Sequence, residues 1–162
     1  MNLKPERKGE IINASLRLIE KKGIQNLTTK NLAREVGITE PGLYRHFKNK
    51  QDLLASILEM FKKTASSSFD HIIKKEGTAL QKINRLYPMM FRGFSKNPAI
   101  TAVIFSEEIF QNNKKLSSEV YSIMEMTRGN IESIINNGKK RKEFSDNINA
   151  GHYLLSLWVH SC

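Results

Sequence analysis

Apolar residues recur at the 3.6-residue spacing of an α-helix along almost the whole chain. Ile11, Ala14 and Leu18 form one such apolar row in a first predicted helix over residues 5–22, and Gly23 follows as a C-terminal cap. No segment shows the strict alternation that is typical of a half-buried β-strand. The spacing therefore predicts an all-α fold.

The same spacing predicts helices over residues 28–35, 39–47, 49–69, 80–94, 98–110, 116–137 and 147–162. Pro88 lacks a backbone N–H, so the helix that contains it is expected to be kinked or divided into two. Residues 112–114 are interpreted as a loop. Gly138 is expected to end the long helix before it, with residues 139–142 as a basic connector. The predicted architecture has three short helices at the front and a bundle of longer helices behind them.

Charge indicates the class of partner. The chain of 162 residues carries 26 Lys and Arg against 16 Asp and Glu, a net charge of +10. Residues 1–50 hold 11 of those basic residues and 5 of the acidic ones. This balance is typical of a protein that binds a polyanion, either nucleic acid or an anionic membrane surface, although a generally basic protein would show it too.

Other features of the sequence restrict its location and chemistry. No apolar run approaches the roughly 18 residues of a membrane-spanning helix, and the first residues have no apolar signal core. The chain has one cysteine, Cys162, which excludes a disulfide framework and a metal site built from cysteines alone. We therefore expect a cytoplasmic protein that does not bind to a membrane.

Residues 28–47 have the length and the residue types of a helix-turn-helix. Thr28 and Thr39 are suited to cap the two helices, and Gly37 lies where the chain must reverse with positive φ. Leu43 and Phe47 are expected to face inward, four residues apart. The face left outward, which would enter a major groove, consists of Thr39, Glu40, Gly42, Tyr44, Arg45 and His46.

The segment from residue 27 to residue 54, LTTKNLAREVGITEPGLYRHFKNKQDLL, closely resembles the DNA-binding domain of the tetracycline-repressor-like (TetR) family. The resemblance is dense over about residues 7–60. It is carried by the features Ala33-x-x-x-Gly37, Leu43-Tyr44-x-His46-Phe47 and Lys50-x-x-Leu53. One departure is Asn31, where the family usually has an acidic residue, although asparagine can also serve the start of a helix.

The resemblance implies a helix-turn-helix DNA-binding domain over residues 1–48 and a helical regulatory and dimerisation domain over residues 49–162. The helix over residues 49–69 would belong to both domains. The implied function is a sequence-specific, ligand-responsive repressor that binds a palindromic operator as a homodimer. Two alternatives stay open: a non-specific nucleic-acid or nucleoid-binding protein without a sensor, and an interaction module that has lost DNA binding.

The resemblance also assigns roles to individual residues. The expected phosphate-positioning residues are Thr28, Thr29, Tyr44, His46 and Lys50, and the expected base-edge residues are Thr39, Glu40, Gly42 and Arg45. Arg45 could contact either a guanine or a phosphate. The alternative for Tyr44 and His46 is packing inside the small domain.

The second domain is expected to hold a small apolar effector and the dimer interface. Candidates for the effector pocket are Phe61, Tyr87, Met90, Phe91, Phe94, Phe105, Met124 and Trp158. At this helical spacing such residues are more often plain core. The family's final helix has no counterpart here. The chain is therefore expected to be truncated or to dimerise through a reduced bundle, and we favour truncation. Candidates for the interface are Gly151, Leu154, Leu155 and Trp158.

The sequence does not favour an enzyme. It contains no phosphate-binding glycine loop, no His-Glu-x-x-His segment and no serine elbow. Glu107 and Glu108 are adjacent and would point in different directions on a helix. His152 and His160 are eight residues apart, too far to share a metal ion without another ligand. We therefore expect no cofactor and no metal.

Overall fold

A computed structural model describes residues 4–106, 114–145 and 147, and all regular structure in them is helical. The all-α prediction is confirmed. The described α-helices are α1 (Lys4–Lys22), α2 (Thr29–Val36), α3 (Glu40–Tyr44), α4 (Lys50–Lys74), α5 (Ala79–Ser95), α6 (Pro98–Ile104) and α7 (Lys114–Lys140), with one 3₁₀ turn at Ile24–Asn26. None of these helices is both long enough and apolar enough to cross a membrane.

The chain divides into two compact units. Of the described residues, the first comprises 4–61, 97–106 and 114–120, and the second comprises 62–96, 121–145 and 147. Helices α4 and α7 therefore each contribute residues to both units. The predicted boundary between residues 48 and 49 stays a prediction.

The first unit is built around α1, which packs against α2, the 3₁₀ turn and α6. Helix α2 packs in turn against α3. The buried apolar side chains of this unit include Ile11, Leu18, Leu32, Leu43, Leu54, Ile57, Ile100 and Val103. Burial of such side chains is the main favourable contribution to folding, at about 25 cal/mol per Å² of apolar surface. The front helices thus have a core of their own, to which α6 contributes.

Helix α6 begins as predicted at Pro98, whose missing N–H costs nothing in a first turn. The prediction that it continues to about residue 110 is wrong, because it ends at Ile104. The backbone N–H of Ser106 donates to the carbonyl oxygen of Val103 at 3.2 Å, and its hydroxyl donates to the same oxygen at 2.9 Å. These local bonds replace the helical pattern at this point.

The second unit has a separate apolar core between α4, α5 and α7. Its buried residues are Phe69, Ile72, Ala79, Leu86, Ile131, Ile134 and Ile135. Helix α5 begins with a reciprocal capping box: the Thr78 hydroxyl accepts from the Gln81 N–H, and the Gln81 side chain accepts from the Thr78 N–H.

Pro88 lies inside α5, which is one continuous helix, so the alternative of two separate helices is wrong. Proline removes the hydrogen bond to the carbonyl of the residue four positions earlier, here Asn84. Both Pro88 and Asn84 are exposed, so water can satisfy that carbonyl.

Helix α7 does not end at Gly138, contrary to the prediction, but continues to Lys140. It also begins at Lys114, which was expected in a loop. Gly138 is instead a close-packing position, since a Cβ there would lie 2.6 Å from the Phe144 ring and 2.7 Å from the Ala79 Cβ. Because the helix continues to Lys140, residues 139 and 140 are its last residues and residues 141 and 142 form the turn that follows. They are not a separate connector.

The predicted last helix, residues 147–162, falls outside the described residues except for Asn147, which lies in a turn.

Candidate nucleic-acid interface

Helix α2 begins as its sequence predicts. The Thr28 hydroxyl accepts from the Asn31 backbone N–H at 3.2 Å, which satisfies one of the free donors of the first turn. The Asn31 side-chain amide donates to the carbonyl of Asn26 at 3.0 Å, so asparagine does serve the start of this helix. Leu27 and Leu32 are both buried on either side of the cap, as a hydrophobic staple requires.

The reversal between α2 and α3 depends on Gly37. Its φ of 72° and ψ of 35° are left-handed, as predicted, and its N–H donates to the carbonyl of Arg34 at 3.3 Å. The N–H of Ile38 donates to the carbonyl of Ala33 at 2.9 Å and completes the turn. Ala33 is buried, so its small side chain allows the close crossing of the two helices.

Helix α3 is the candidate recognition helix. The Thr39 hydroxyl accepts from the Gly42 N–H at 3.2 Å and caps it, as predicted. The helix ends at Tyr44, earlier than the predicted Phe47. The N–H groups of His46 and Phe47 nevertheless both donate to the carbonyl of Leu43, so a hydrogen-bonded turn continues as far as Phe47. Leu43 and Phe47 are buried, so the predicted inward face is confirmed.

The opposite side of α3 is open to solvent. Tyr44 is 51% exposed, and Thr39, Glu40 and Arg45 are exposed as well. Gly42 and His46 are half-buried. The exposure of Tyr44 favours the outward assignment over packing inside the domain. Contact of any of these residues with DNA stays a prediction.

Four of the five residues expected to position phosphates lie around one shallow depression. Thr28, Thr29, Tyr44 and Lys50 line it, together with an apolar floor of Leu27, Leu32, Leu43, Phe47 and Leu53. These polar side chains come from α2 and its cap, from α3 and from the first residue of α4. His46 is not among the residues that line this depression.

Helix α4 begins beside the candidate interface. Asn49 and Asp52 have the spacing of a capping box, and the Asn49 side chain accepts from the Asp52 N–H at 2.8 Å and caps the helix. The Asp52 carboxylate accepts from the N–H of Lys48 at 3.1 Å, one residue before the cap, whereas a reciprocal capping box would use the N–H of Asn49 itself. Lys50 is the first residue of this helix, where the dipole also favours an anion.

Two contacts of the helix-turn-helix could not be found from sequence spacing. The Thr29 hydroxyl donates to the Glu40 carboxylate at 2.9 Å and joins the first residue of α2 to the first residue of α3. The Lys8 ammonium lies 5.3 Å from the centroid of the Phe47 ring and links α1 to the end of the motif. Both pairs are far apart in sequence, so no local rule predicts them.

The residues proposed for an effector pocket belong to both units. Phe61 belongs to the first unit, whereas Tyr87, Met90 and Phe94 are half-buried on α5. Met90 packs against the core of the second unit.

Three further candidates face solvent: Phe91 is 66% exposed, Phe105 46% and Met124 38%, so plain core packing is wrong for them. The pocket stays a prediction. Trp158 and the interface candidates Gly151, Leu154 and Leu155 lie outside the described residues. Among the residues that the structure describes, no three His, Cys, Asp or Glu side chains come together as a metal site would require.

Comparison with known proteins identifies the first unit's motif. Residues 11–57 match the family model "Bacterial regulatory proteins, tetR family". Curated relatives include the "Nucleoid occlusion factor SlmA" of Aliivibrio fischeri (strain MJ11), 28% identical over 140 residues that cover 86% of this chain and 71% of that protein. The SlmA protein of Vibrio cholerae is 25% identical over 142 residues, with 87% and 72% covered.

Solved structures share the fold at lower identity. A TetR transcription regulator from Haloarcula marismortui has a TM-score of 0.81 at 22% identity, covering 95% of this chain and 81% of that one. The regulator FadR of Bacillus subtilis, in complex with stearoyl-CoA, has a TM-score of 0.76 at 20% identity, covering 93% and 80%. These similarities extend beyond the helix-turn-helix into the helices behind it.

Proposed function

Because this chain is a member of the tetR family of bacterial regulatory proteins, we propose that it is a sequence-specific transcriptional repressor. In this proposal it binds a palindromic operator as a homodimer and releases it in response to a small apolar effector. It acts in the cytoplasm, where the DNA of a bacterium lies.

The observation that carries the proposal is the geometry of α2 and α3. Two threonine caps and one left-handed glycine set the two helices at a tight turn, with Leu43 and Phe47 buried beneath α3. The opposite side of α3 presents polar and aromatic side chains to solvent, as a helix that enters a major groove requires.

Charge and the depression beside α3 support a division of roles. Phosphate contacts fix the position of a protein on the duplex, whereas contacts to base edges determine the sequence. Thr28, Tyr44 and Lys50 surround the depression and would position phosphates. The base edges would be contacted from the exposed side of α3, by residues such as Arg45 and Glu40.

A second candidate function is favoured by the curated relatives. SlmA proteins, which align with 86% or more of this chain, are named for nucleoid occlusion and not for control by a small molecule. The alternative is therefore a protein that binds DNA across the nucleoid without a sensor role.

Selection of high-affinity duplexes from a random pool tests the proposal. The affinity for the selected duplex is then compared with that for a shuffled duplex of the same composition, at one fixed salt concentration. A repressor is expected to prefer the selected sequence by roughly 10³-fold or more, and that sequence should be a palindrome. A ratio below about ten would support non-specific nucleoid binding instead.

A further inference from the structure

The hydrogen bond between Thr29 and Glu40 lies in the middle of the candidate interface. Thr29 is the first residue of α2 and lines the depression, and Glu40 is the first residue of α3 and is exposed. The Thr29 Oγ1 donates to the Glu40 Oε2 at 2.9 Å. A threonine hydroxyl has one proton, so this bond uses its only donor.

This bond changes the expected role of Thr29. A phosphate oxygen at the DNA backbone accepts hydrogen bonds and does not donate them. While the Thr29 hydroxyl donates its proton in a hydrogen bond to Glu40, it therefore has no proton left to donate to a phosphate. The adjacent carboxylate would also repel a phosphate at that point. Thr29 thus differs from Thr28, whose hydroxyl accepts from the Asn31 N–H and keeps its own proton available.

The same bond gives Glu40 a defined chemistry. An ionised carboxylate is acceptor-only and has about four acceptor positions, so one bond from Thr29 leaves acceptors to spare. In the major groove, cytosine presents the N4 amino donor, whereas guanine presents only acceptors. Adenine presents its N6 donor next to the N7 acceptor, which would face the carboxylate unfavourably. Of the bases, cytosine is the best match to a fixed carboxylate.

We propose that Glu40 selects a cytosine in each operator half-site by accepting a hydrogen bond from its N4 amino group, and that Thr29 is the positioning residue for that carboxylate. This inference rests on the proposed function, because it requires α3 to lie in a major groove. It replaces the phosphate-contact role predicted for Thr29.

Two substitutions separate the base-selecting role from a merely structural link between α2 and α3. Glu40→Gln keeps the size of the side chain and an oxygen that can accept from Thr29, but presents an amide donor to the base. Thr29→Val keeps the shape of the residue and removes the hydroxyl, and Thr29→Ser restores it. Glu35→Gln is the control: Glu35 is an exposed glutamate on α2, so its replacement removes the same charge at a position away from this hydrogen bond.

The experiment measures affinities for the best selected duplex and for each base substitution in one half-site. We expect the wild-type protein to prefer cytosine at one position by about tenfold, the scale of one specific base contact. Glu40→Gln should abolish that preference, and Thr29→Val should reduce it to about threefold. Thr29→Ser and Glu35→Gln should retain it. A structural link alone would lower all affinities alike and leave the base preference unchanged.

A modified duplex tests the same contact without relying on the folding of a variant. Replacing the selected cytosine by 2-pyrimidinone removes the amino group, and it should cost the wild-type protein about tenfold in affinity. The Glu40→Gln protein should lose much less from the same replacement.

Three results would overturn the inference. They are an unchanged cytosine preference in Glu40→Gln, an unchanged preference in Thr29→Val, and no loss with the 2-pyrimidinone duplex. Each of them leaves the proposed function intact if the selected duplex is still strongly preferred. A wild-type protein that binds all duplexes alike would instead overturn the proposed function, and the inference with it.

Discussion

Gly37 and Gly9 separate the effect of backbone conformation from the effect of space. A Cβ added at either glycine would meet no atom within 4 Å, but Gly37 has φ of 72° and Gly9 lies inside α1. We expect Gly37→Ala to lower the free energy of unfolding by about 1 kcal/mol, because a left-handed conformation is costly for an L-residue. Gly9→Ala should raise it by about 0.5–1 kcal/mol, because alanine stabilises a helix interior.

Urea unfolding followed by circular dichroism measures both changes. The pair shares one chemical change and differs only in the backbone at the site, so opposite signs are the essential result. Equal effects at the two positions would contradict a left-handed conformation at Gly37.

Lys50 is the residue at which a phosphate contact is easiest to measure. It lines the depression beside α3 and begins α4, where the helix dipole adds to its own charge. Lys50→Ala should weaken binding to all duplexes alike and reduce the slope of log K against log salt by about 1, the effect of one lost phosphate contact.

Lys74→Ala is the matched control, since it removes the same charge from an exposed position at the other end of α4. It should leave the slope unchanged. If the loss in Lys50→Ala were confined to one operator sequence, Lys50 would contact a base and not a phosphate.

Helix α7 contains two glycines whose surroundings differ. A Cβ on Gly138 would lie within 3 Å of both Phe144 and Ala79, whereas a Cβ on Gly129 would meet nothing within 4 Å. Gly138→Ala is expected to destabilise the protein by about 1–3 kcal/mol, because the packed neighbours must shift. Gly129→Ala should stabilise it by about 0.5–1 kcal/mol through helix propensity.

Thermal unfolding of the two variants beside the wild type provides the measurement. A stabilised Gly138→Ala protein would mean that α5 and α7 are not in close contact at this point.

The end of α7 has a lysine where helices commonly have glycine. Lys142 has φ of 57°, its N–H donates to Lys139, and the N–H of Glu143 donates to Gly138, both at 2.9 Å. This is the hydrogen-bond pattern of a Schellman motif. Lys142→Gly should stabilise the protein by about 0.5–1 kcal/mol, since it relieves the left-handed strain.

Lys142→Ala removes the same charge but keeps the strain, so its unfolding midpoint should not rise. A similar rise in both variants would assign the effect to charge and not to backbone conformation.

The elements differ in how far their sequence predicts them. The sequence predicts Thr28 and Thr39 as helix caps and Gly37 as the turn residue, because caps and turns depend on residues within four positions. Gly138 was misassigned because its role is set by Ala79, which is far away in sequence and close in space. The Thr29–Glu40 bond and the packing of α6 on α1 were missed for the same reason.

At the scale of the whole molecule, charge favours association with DNA before any specific contact forms. The net charge is +10, and the first 50 residues hold 11 basic against 5 acidic side chains. Such an excess raises the association rate and makes it depend on salt. It does not select a sequence, so specificity must come from a few side chains on α3 and from the number of recognition helices bound at once.

One helix-turn-helix makes few base contacts, and two copies related by a two-fold axis contact successive major grooves when their recognition helices lie about 34 Å apart. Specific binding is therefore expected to require a homodimer. The sequence predicts that its interface is isologous and lies in the apolar segment after residue 147.

Leu155→Glu places a charge in that segment and should shift the protein from dimer to monomer in sedimentation velocity. The variant should retain weak binding to a single half-site and lose the additional affinity for a palindrome. Changing the spacing between half-sites by about five base pairs, half a helical turn, should have the same effect on the wild type, because the second recognition helix would then face away from its groove. A wild-type monomer that binds one half-site as tightly as the palindrome would contradict the dimer, and with it the proposed binding of a palindromic operator by two recognition helices.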